Sequence, residues 1–538
     1  MKKKYFILLS VFSGILFWLA WPVNGLAPLL FISFVPLLFV EHFISENKEK
    51  YNWWNVFSYS YLTFFIWNLL TTWWICYASF AGAVLAFIFN SLFMAIVFTI
   101  FHITKKLLGS TQGYMAFVFY WVGFEYLHTE WELSWPWLTL GDGFASNVNL
   151  VQWYEYSGVF GGSLWVVLTN VLFFIILKKI IIDKKKIKEI SVRFLLAAIV
   201  VIAPITVSNI IYNNYQEKGK IASVVVVQPN IDPYNEKFGG MAYEKQLEKL
   251  LSLAKTKVDL NTDFFVAPET AIADGIWENE LDNSESLITL KAFLKQYPKL
   301  NTLIGLSSYK LFRKDEKLPN TARKMNEKEY YDAYNTAMFI DNKTNIFLYH
   351  KSKLVIGVER IPFPEIFKPF EKFAINLGGT TGSLGTQQER TVFKTIDSNF
   401  RIAPVVCYES IYGNFISKYI ANGANLIFII TNDGWWKDTP GYRQHCAYSR
   451  LRTIECRKSI ARAANTGISC FINQRGDVQQ PTKWWTPAVI KQNVSANNEI
   501  TFYVKHGDYI AKFSAIISCF ILLLLILTKI KPFKSFLQ

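Results

Sequence analysis

Residues 404–410 read Pro404-Val405-Val406-Cys407-Tyr408-Glu409-Ser410, an apolar run that ends on a cysteine. A short run rich in β-branched residues is typical of a buried strand. The spacing of apolar residues then predicts a helix over Ile411–Ala421. A thiol near the start of a helix feels the positive end of the helix dipole, which favours the thiolate. Cys407 is therefore a candidate nucleophile, although a buried structural thiol is the commoner state of a free cysteine.

Short apolar runs recur on both sides of this stretch. Several are continuous β-branched or aromatic runs, as expected of strands covered on both faces. Strands are predicted over Ala222–Gln228, Phe264–Ala267, Thr302–Ser307, Thr336–Ile340, Ile346–His350, Arg401–Val406, Ala424–Thr431 and Ser469–Asn473. Helices are predicted between them over Tyr243–Thr256, Leu287–Gln296, Ile411–Ala421 and Tyr442–Lys458. Helices layered on a sheet indicate an α/β domain over residues 213–508.

The rest of the chain is much more apolar than this domain. Of the 538 residues, 51% are hydrophobic and 17% aromatic, more than in an ordinary soluble enzyme. Runs of about 17–25 apolar residues are long enough to span a bilayer. Eight such runs lie near residues 5–21, 25–42, 55–77, 80–102, 113–128, 160–177, 194–212 and 509–528. The sequence therefore predicts a membrane domain over 1–212 with about seven spans, and a last span within 509–538.

Basic residues fall in alternate loops between the predicted spans. They occur at Lys2–Lys4, at Lys48 and Lys50, at Lys105 and Lys106, over residues 178–193 and after residue 528. No Lys or Arg occurs from 51 to 104 or from 107 to 177. Because basic residues in short loops favour the cytoplasmic side, both termini are predicted to be cytoplasmic. The 213–508 domain then lies on the outer face of the membrane.

Charge and cysteine content exclude some function classes. The net charge of +15 is explained by lysines at the membrane edges, so no nucleic-acid partner is predicted. The six cysteines form no C-x-x-C pair, and two of them, Cys76 and Cys519, lie in predicted spans. This pattern argues against a zinc site or a disulfide framework. A disulfide among Cys446, Cys456 and Cys470 remains open.

A carboxylate and an ammonium group are further candidates for chemistry. Glu269 follows the run Phe264–Ala267, and a carboxylate at the edge of an apolar core tends toward a raised pKa, which suits proton transfer. A helix cap or a salt bridge is the alternative role. Lys351 follows Ile346–His350 and could stabilise an oxyanion, but Lys353 is an equal candidate on pattern alone. An exposed lysine is the ordinary alternative for both.

Other common catalytic signatures are absent from the sequence. It contains no G-x-S-x-G elbow, no H-E-x-x-H and no G-x-x-x-x-G-K-[ST] loop. The glycine-rich stretch Gly378–Gly385 lacks the spacing of a nucleotide loop and is predicted to be a turn. No cofactor and no metal are expected.

Taken in order, the motifs resemble those of the nitrilase, or carbon–nitrogen hydrolase, superfamily. They are V-Q-P-N at Val227–Asn230, A-P-E-T at Ala267–Thr270, Y-H-K-S-K-L-V at Tyr349–Val355, V-C-Y-E-S at Val406–Ser410, T-N-D-G-W-W at Thr431–Trp436, and the closing segments Arg462–Gly467 and Asn473–Gly476. With its flanking spans, the chain resembles the apolipoprotein N-acyltransferase family. This resemblance implies a multi-pass α-helical membrane domain plus an αββα sandwich. It also implies a bacterial inner-membrane location with the catalytic domain on the periplasmic face.

The resemblance also implies a catalytic triad. Glu269 would be the base, Lys351 the oxyanion stabiliser and Cys407 the nucleophile. Lys351 is preferred over Lys353 because it lies eight residues before Glu359, the spacing that the family uses. Glu359 would then orient Lys351 or the attacking amine.

The implied reaction has two lipid substrates. An acyl chain would pass from a membrane phospholipid, through a cysteine thioester, to the α-amino group of the diacylglyceryl-cysteine at the N-terminus of an apolipoprotein. Tyr408 and Glu409 match positions that the family needs for activity beside the nucleophile. The expected partners are the phospholipid, the lipoprotein and the membrane, and the enzyme is expected to be a monomer.

Two segments depart from the family pattern. The family's tryptophan after V-Q-x-N has no counterpart, and Lys237 and Phe238 lie near that place. The family's L-V-P-F-G-E run reads Leu354-Val355-Ile356-Gly357-Val358-Glu359, which keeps the glutamate but loses the proline. The phenylalanine-rich stretch Ile361–Phe373 is predicted to be a flexible arm that touches lipid, with ordinary loop packing as the alternative.

Two other functions fit parts of the sequence. A membrane-anchored amidase or nitrilase would use the same triad on a small soluble amide. The other alternative is a transporter or scaffold with a degenerate domain. Charged groups within the spans would support transport, but the predicted spans contain almost none, and Glu125 and His128 near the outer end of the fifth are the main exceptions.

Overall fold

The computed structural model describes residues 2–313, 315–363 and 383–529, with side chains up to residue 527. Two predicted segments lie largely outside the described residues. They are the part of the arm Ile361–Phe373 that begins at residue 364, and the part of the turn Gly378–Gly385 that precedes residue 383. The chain divides into two compact units. One contains the chain up to Cys76, Ala83–Asn214 and the chain from His506, and the other contains Tyr77–Gly82 and Tyr215–Lys505.

The first unit consists of long apolar helices. They are α1 (Lys3–Ala20), α2 (Val35–Glu46), α3 (Trp53–Thr72), α4 (Phe80–Leu108), α5 (Ser110–Glu130), α6 (Tyr154–Ile181) and α7 (Ser191–Asn214). The last helix of the chain, which we number α13, covers Tyr509–Lys529 and packs against α5.

Six helical segments of the described chain are long and apolar enough to cross a membrane. They are Lys3–Ala20, Ala27–Glu46, Phe80–Leu108, Tyr154–Ile181, Ile187–Asn214 and Tyr509–Leu527. Six of the eight predicted spans therefore coincide with such segments. The other two predicted spans coincide with α3 and α5, which are helical but less apolar. Helix α3 carries many Tyr, Ser, Thr and Asn side chains, and α5 carries Gln112, Glu125, His128 and Glu130.

The interior of this unit is aromatic, with a buried charge cluster. Phe17 stacks on Trp67 with ring centroids 4.4 Å apart. Glu41 on α2 accepts hydrogen bonds from Lys105 Nζ at 2.5 Å and lies 2.7 Å from His102 Nδ1, both on α4. All three side chains are buried. The sequence did not single them out, and their mutual pairing is what makes such burial tolerable.

The second unit contains all the described strands. They are β1 (Lys220–Gln228), β2 (Phe264–Val266), β3 (Ile272–Trp277), β4 (Asn301–Leu311), β5 (Arg323–Lys324), β6 (Tyr330–Ile340), β7 (Ile346–His350), β8 (Phe393–Lys394), β9 (Arg401–Val406), β10 (Leu426–Thr431), β11 (Ile460–Ala464), β12 (Cys470–Ile472), β13 (Val478–Gln479) and β14 (Ala488–Ala496). Its helices are α8 (Tyr243–Lys255), α9 (Glu285–Leu294), α10 (Gly413–Ala421), α11 (Pro440–Cys456) and α12 (Phe502–His506).

The strands form two mixed sheets. One runs in the order β14-β1-β2-β4-β6-β5, with β3 added to β4 and β7 added to β6. The other runs β13-β12-β11-β10-β9-β8. The cores β1-β2-β4 and β9-β10-β11 are parallel, as expected of strands joined by helices.

Alternating side chains explain how the layers assemble. In β2, Phe265 joins the apolar core under α8 and α9, and its ring centroid lies 6.1 Å from that of Phe293. The preceding Phe264 points the other way and meets Phe428 of β10 edge-on at 5.2 Å. On the far side, Tyr419 of α10 donates to a main-chain oxygen of β9. The layers are therefore α, β, β and α, which confirms the predicted α/β sandwich.

Candidate active site

The predicted catalytic residues all follow the carboxyl ends of strands. Glu269 comes shortly after β2, while Lys351 and Cys407 directly follow β7 and β9. Carboxyl ends of strands are where α/β folds form their sites. Glu269, Lys351 and Cys407 line one cavity of the second unit. The structure thus brings together three residues that lie far apart in the sequence.

Glu269 is buried, and both of its carboxylate oxygens accept hydrogen bonds. Its Oε1 accepts hydrogen bonds from Lys351 Nζ at 3.0 Å and from Asn335 Nδ2 at 2.7 Å. Its Oε2 accepts from the main-chain N–H of Asn432 at 3.0 Å. Because Asn432 follows β10, this last bond joins the two sheets at the cavity.

The pKa of Glu269 lies below its usual range. Burial raises it, but the charge of Lys351 and the hydrogen bonds that the carboxylate accepts outweigh burial. The expected raised pKa was therefore wrong. An apolar run before a glutamate does not reveal that an ammonium group will lie 3.0 Å from it.

Lys351 is held between two carboxylates. Besides Glu269, it donates to Glu359 Oε1 at 2.8 Å, and Glu359 Oε2 accepts the main-chain N–H of Val355 at 2.9 Å. Burial lowers the pKa of Lys351, but the two carboxylates raise it well above its usual value. Lys353 instead lies over the ring of Tyr412 at 4.7 Å. Geometry therefore favours Lys351 as the cation of the cavity.

Cys407 begins a 3₁₀ helix, Cys407–Ile411, that precedes α10. Its φ is +49°, which is the left-handed region and is unusual for a residue with a Cβ. Burial and then the Glu269 carboxylate raise the pKa of the Cys407 thiol. The expected thiolate was therefore wrong, because burial outweighs any dipole effect. A thiol that rests protonated needs a base in order to react.

The two residues after Cys407 are both buried, with different surroundings. Glu409 accepts hydrogen bonds from the N–H groups of Val406 at 2.8 Å and Ser352 at 2.7 Å, and from the Tyr349 hydroxyl at 2.6 Å. Burial raises the pKa of Glu409 to about 7. Tyr408 packs edge-on against Tyr412. Glu409 thus braces the strand that carries the thiol rather than facing the cavity.

Sequence reasoning missed Asn335 beside the triad, and it named Lys237 without giving it a role. Asn335, in β6, lines the cavity and donates from Nδ2 to Glu269 Oε1 and, at 3.2 Å, to Glu359 Oε1. A polar residue inside an otherwise buried strand was the available signal. Lys237 is buried and donates to the main-chain oxygen of Glu269 at 3.0 Å. The neighbouring Phe238 lines the cavity and stacks on Trp435.

The described cysteines are free thiols. The Sγ atoms of Cys446 and Cys470 lie 3.9 Å apart, in contact but not bonded. Within residues 2–313, 315–363 and 383–529, no group of three or more His, Cys, Asp or Glu side chains is arranged to hold a metal ion. The chemistry of the cavity is that of a thiol, an ammonium group and carboxylates.

Comparisons with known proteins agree with this geometry. Residues 13–172 match the apolipoprotein N-acyltransferase N-terminal domain, and residues 223–499 match the carbon-nitrogen hydrolase family. A relative from Chlorobaculum tepidum, an apolipoprotein N-acyltransferase, is 31% identical over 95% of this chain and 94% of its own length. The chain belongs to the apolipoprotein N-acyltransferase family.

Other family members are less similar in sequence but match a comparable share of the chain. Apolipoprotein N-acyltransferase 1 of Treponema denticola is 26% identical over 97% of this chain and 98% of its own length. The Geobacter metallireducens relative, an apolipoprotein N-acyltransferase, is 25% identical over 94% of this chain and 92% of its own length. A solved amidase from Nesterenkonia sp. is 12% identical and covers 55% of this chain and 97% of its own, with a TM-score of 0.37, too low to add to the assignment.

Family membership and the apolar helices together fix the coarse function. This acyltransferase is an enzyme of the nitrilase superfamily that acts in lipoprotein N-acylation. It is associated with the inner membrane and has a lipoprotein as substrate. A transporter or scaffold is therefore excluded as the main role.

Proposed function

We propose that the enzyme moves a fatty acyl chain from a membrane phospholipid to the α-amino group of the diacylglyceryl-cysteine of an apolipoprotein, through a thioester on Cys407. The proposal is carried by one observation: a buried thiol, a carboxylate and an ammonium group line the same cavity. Phe238, Trp435 and Trp436 also line it, which suits an acyl chain better than a small polar amide.

In the first half-reaction, Cys407 attacks the ester carbonyl of the phospholipid. Glu269 takes the thiol proton as the carbon–sulfur bond forms. Lys351 stabilises the negative charge that develops on the carbonyl oxygen. When the tetrahedral intermediate collapses, the carbon–oxygen ester bond breaks and the departing alkoxide takes the proton from Glu269. The products are a thioester on Cys407 and a lysophospholipid.

In the second half-reaction, the amine of the acceptor attacks the thioester. Glu269 removes a proton from the attacking nitrogen, and the carbon–sulfur bond breaks. The Cys407 sulfur then recovers the proton, so that the enzyme returns to its starting state. Glu359 keeps Lys351 in place through both steps by pairing with its ammonium group at 2.8 Å. Tyr408 and Glu409 support the turn at the nucleophile.

The arrangement in the membrane is part of the proposal. Residues 1–212 form the membrane domain, 213–508 the catalytic domain on the periplasmic face, and 509–538 a last span with a cytoplasmic tail. The distribution of Lys and Arg supports this orientation, with both termini cytoplasmic. Both substrates are lipids of the membrane that the enzyme spans, and the enzyme works as a monomer.

Mass spectrometry of Cys407 tests the proposal. Purified enzyme is placed in vesicles of a phospholipid with an isotope-labelled acyl chain, and the Cys407 peptide is searched for the labelled adduct. The adduct should form, and it should disappear on addition of a diacylglyceryl-cysteine peptide with matching N-acylation of that peptide. C407A should give neither product, and C519A should give both. Absence of the adduct together with ammonia release from small amides would favour the amidase alternative.

A further inference from the structure

A chain of buried polar side chains ends on the main-chain carbonyl of Cys407. Ser410 Oγ donates to that oxygen at 2.7 Å, and His445 Nε2 lies 3.1 Å from it and 2.8 Å from Ser410 Oγ. Behind the imidazole, His445 Nδ1 lies 3.0 Å from Asp433 Oδ1. Arg462 Nη2 donates to Asp433 Oδ2 at 2.6 Å. We call Ser410, His445, Asp433 and Arg462 the His445 relay.

The His445 relay has the order of a Ser-His-Asp triad but not its exposure. Ser410, His445 and Asp433 are each 0% exposed, and none of them is among the described residues that line the cavity. An acyl donor therefore has no path to the Ser410 hydroxyl, which a nucleophile requires. The contact of the relay with substrate is indirect, through the Cys407 main chain.

The backbone at Cys407 is what the relay holds. A φ of +49° is unfavourable for a residue with a Cβ and persists only where the surroundings fix it. The peptide from Cys407 to Tyr408 is trans and planar, so its C=O and the following N–H point in opposite directions. Fixing the Cys407 oxygen on the relay therefore also fixes the direction of the Tyr408 N–H.

Asp433 is the anion of the relay. Burial raises the pKa of Asp433, but Arg462 and His445 outweigh burial and hold it below the usual range. Asp433 therefore stays ionised beside the imidazole. With the ring hydrogen on Nε2, His445 Nδ1 can accept from Arg462 Nη2 at 3.2 Å, while the Nε2 hydrogen joins that of the Ser410 hydroxyl at the Cys407 carbonyl.

We propose that His445 is a positioning residue for acylation: by anchoring the Cys407 carbonyl, it aims the Tyr408 N–H at the oxyanion formed when Cys407 attacks. The inference rests on the proposed thioester mechanism. Lys351 supplies charge to that oxygen, while the Tyr408 N–H supplies a directional hydrogen bond. Two donors set at an angle define the position of an oxyanion better than one.

Two substitutions separate the two nitrogens of His445. His445→Asn keeps an amide near Nδ1, where it meets Asp433, but leaves the Ser410 hydroxyl as the one remaining relay donor to the Cys407 carbonyl. His445→Gln places an amide N–H near the position of Nε2 and restores the second donor. Full-length enzyme in labelled phospholipid vesicles is compared for two rates at Cys407. One is thioester formation, and the other is alkylation by iodoacetamide, which uses the same sulfur and the same base but forms no oxyanion.

The expected result is a split between the two rates. H445N should slow thioester formation about 10- to 100-fold, because one oxyanion donor is misplaced. Alkylation should change by no more than about twofold, since that reaction develops no oxyanion. H445Q should recover most of the thioester rate. S410A, which removes only the hydroxyl, should give the same split with a loss of about 3- to 10-fold, and it serves if H445N does not fold.

Several outcomes would overturn the inference. They are an unchanged thioester rate in H445N or S410A, an equal fall of both rates, and equal losses in H445N and H445Q. If the wild-type enzyme forms no thioester at all, the proposed function fails and takes this inference with it. A wild-type enzyme that forms the thioester, with variants that do not slow it, contradicts the inference alone.

Discussion

The ammonium group of Lys237 donates a hydrogen bond to the main-chain oxygen of Glu269 at 3.0 Å, although the two residues are far apart in sequence. Burial lowers the pKa of Lys237 to about 8, and the Glu269 carboxylate acts in the opposite direction. At neutral pH Lys237 is therefore still mostly protonated. Its charge is one of the causes that hold the pKa of Glu269 below the usual range.

Lys237→Met should move the acidic limb of the acylation rate to higher pH. Loss of the positive charge raises the pKa of Glu269, so the base becomes protonated, and inactive, at a pH where the wild type still works. The measurement is the pH dependence of labelled thioester formation on Cys407 in single turnover. Lys249 is a matched control, because it too donates to a main-chain oxygen, that of Asn230, at 3.0 Å. In K249M the rate of thioester formation should fall at the same acidic pH as in the wild type. If the rate of K237M also falls at that pH, the prediction is contradicted.

Asn335→Asp should slow thioester formation, although the new side chain has nearly the same shape as the old one. It places a third carboxylate beside Glu269 and Glu359, with a single ammonium group between them. Like charges at hydrogen-bond distance raise the pKa of the base, so thioester formation at neutral pH should fall about 10- to 100-fold. Asn342→Asp, at an exposed turn, is the charge-matched control and should keep the rate. Equal rates in both variants would exclude this role for Asn335.

The sequence predicted the layers of the catalytic unit well because its main strands are long apolar runs. Each predicted strand overlaps an observed one, and β7 and β9 have the predicted bounds. The strands β5, β8 and β13 have two residues each, too few to show a period. The edge strand β14 is largely half-buried and lacks the apolar run that identifies a central strand.

The site was predictable in composition but not in electrostatics. Ordered motifs brought Glu269, Lys351 and Cys407 to notice, and the spacing to Glu359 favoured Lys351, the lysine that lines the cavity. The signs of the shifts were not predictable, because they depend on distances between residues on different strands. The pKa of Glu269 falls because of Lys351, and that of Cys407 rises because of burial. The place of His445 was not predictable from the sequence either, because its contact with Cys407 joins residues that are far apart in the chain.

Glu409→Gln should destabilise the enzyme and flatten the pH dependence of its stability. Glu409 accepts three hydrogen bonds, and an amide would present N–H groups to a donor, at a cost of about 1–3 kcal/mol. The folded-state pKa of Glu409, about 7, lies above the ordinary value of 4.5. The folded state therefore binds this proton more tightly, and its contribution to stability is lost as pH rises from 4.5 through 7. Thermal unfolding midpoints across this range should fall in the wild type more than in E409Q.

Cys446→Ala should leave acylation intact, although the thiol of Cys446 is more acidic than that of its neighbour Cys470. A hydrogen bond with Cys470 is the main cause that lowers the pKa of Cys446 to about 7, against the effect of burial. Cys446 is not among the described residues that line the cavity, so ease of ionisation should not make it the acyl carrier. Labelled adduct on Cys407 should form in C446A within about threefold of the wild-type rate. An adduct on Cys446 in the wild type would reverse the assignment of the nucleophile.

Gly305→Ala should displace the base without unfolding the domain. A Cβ at this position on β4 would lie 2.4 Å from Thr270 N and 2.6 Å from Glu269 Cα. Both atoms belong to the main chain, so no side-chain rotation relieves the overlap and Glu269 itself must shift. A shift of about 1 Å at a catalytic group can cost about 100-fold in rate, and overpacking costs about 1–3 kcal/mol of stability.

The matched variant for G305A is Ile304→Val, on the same strand. Ile304 belongs to the apolar core under α8 and α9, and its loss of one methyl group should cost about 0.5–1.5 kcal/mol without moving Glu269. Thermal unfolding midpoints and thioester formation are measured for both variants. I304V should lose stability but keep its rate, while G305A should lose far more rate than its stability explains. Parallel losses in the two variants would show that β4 does not set the position of the base.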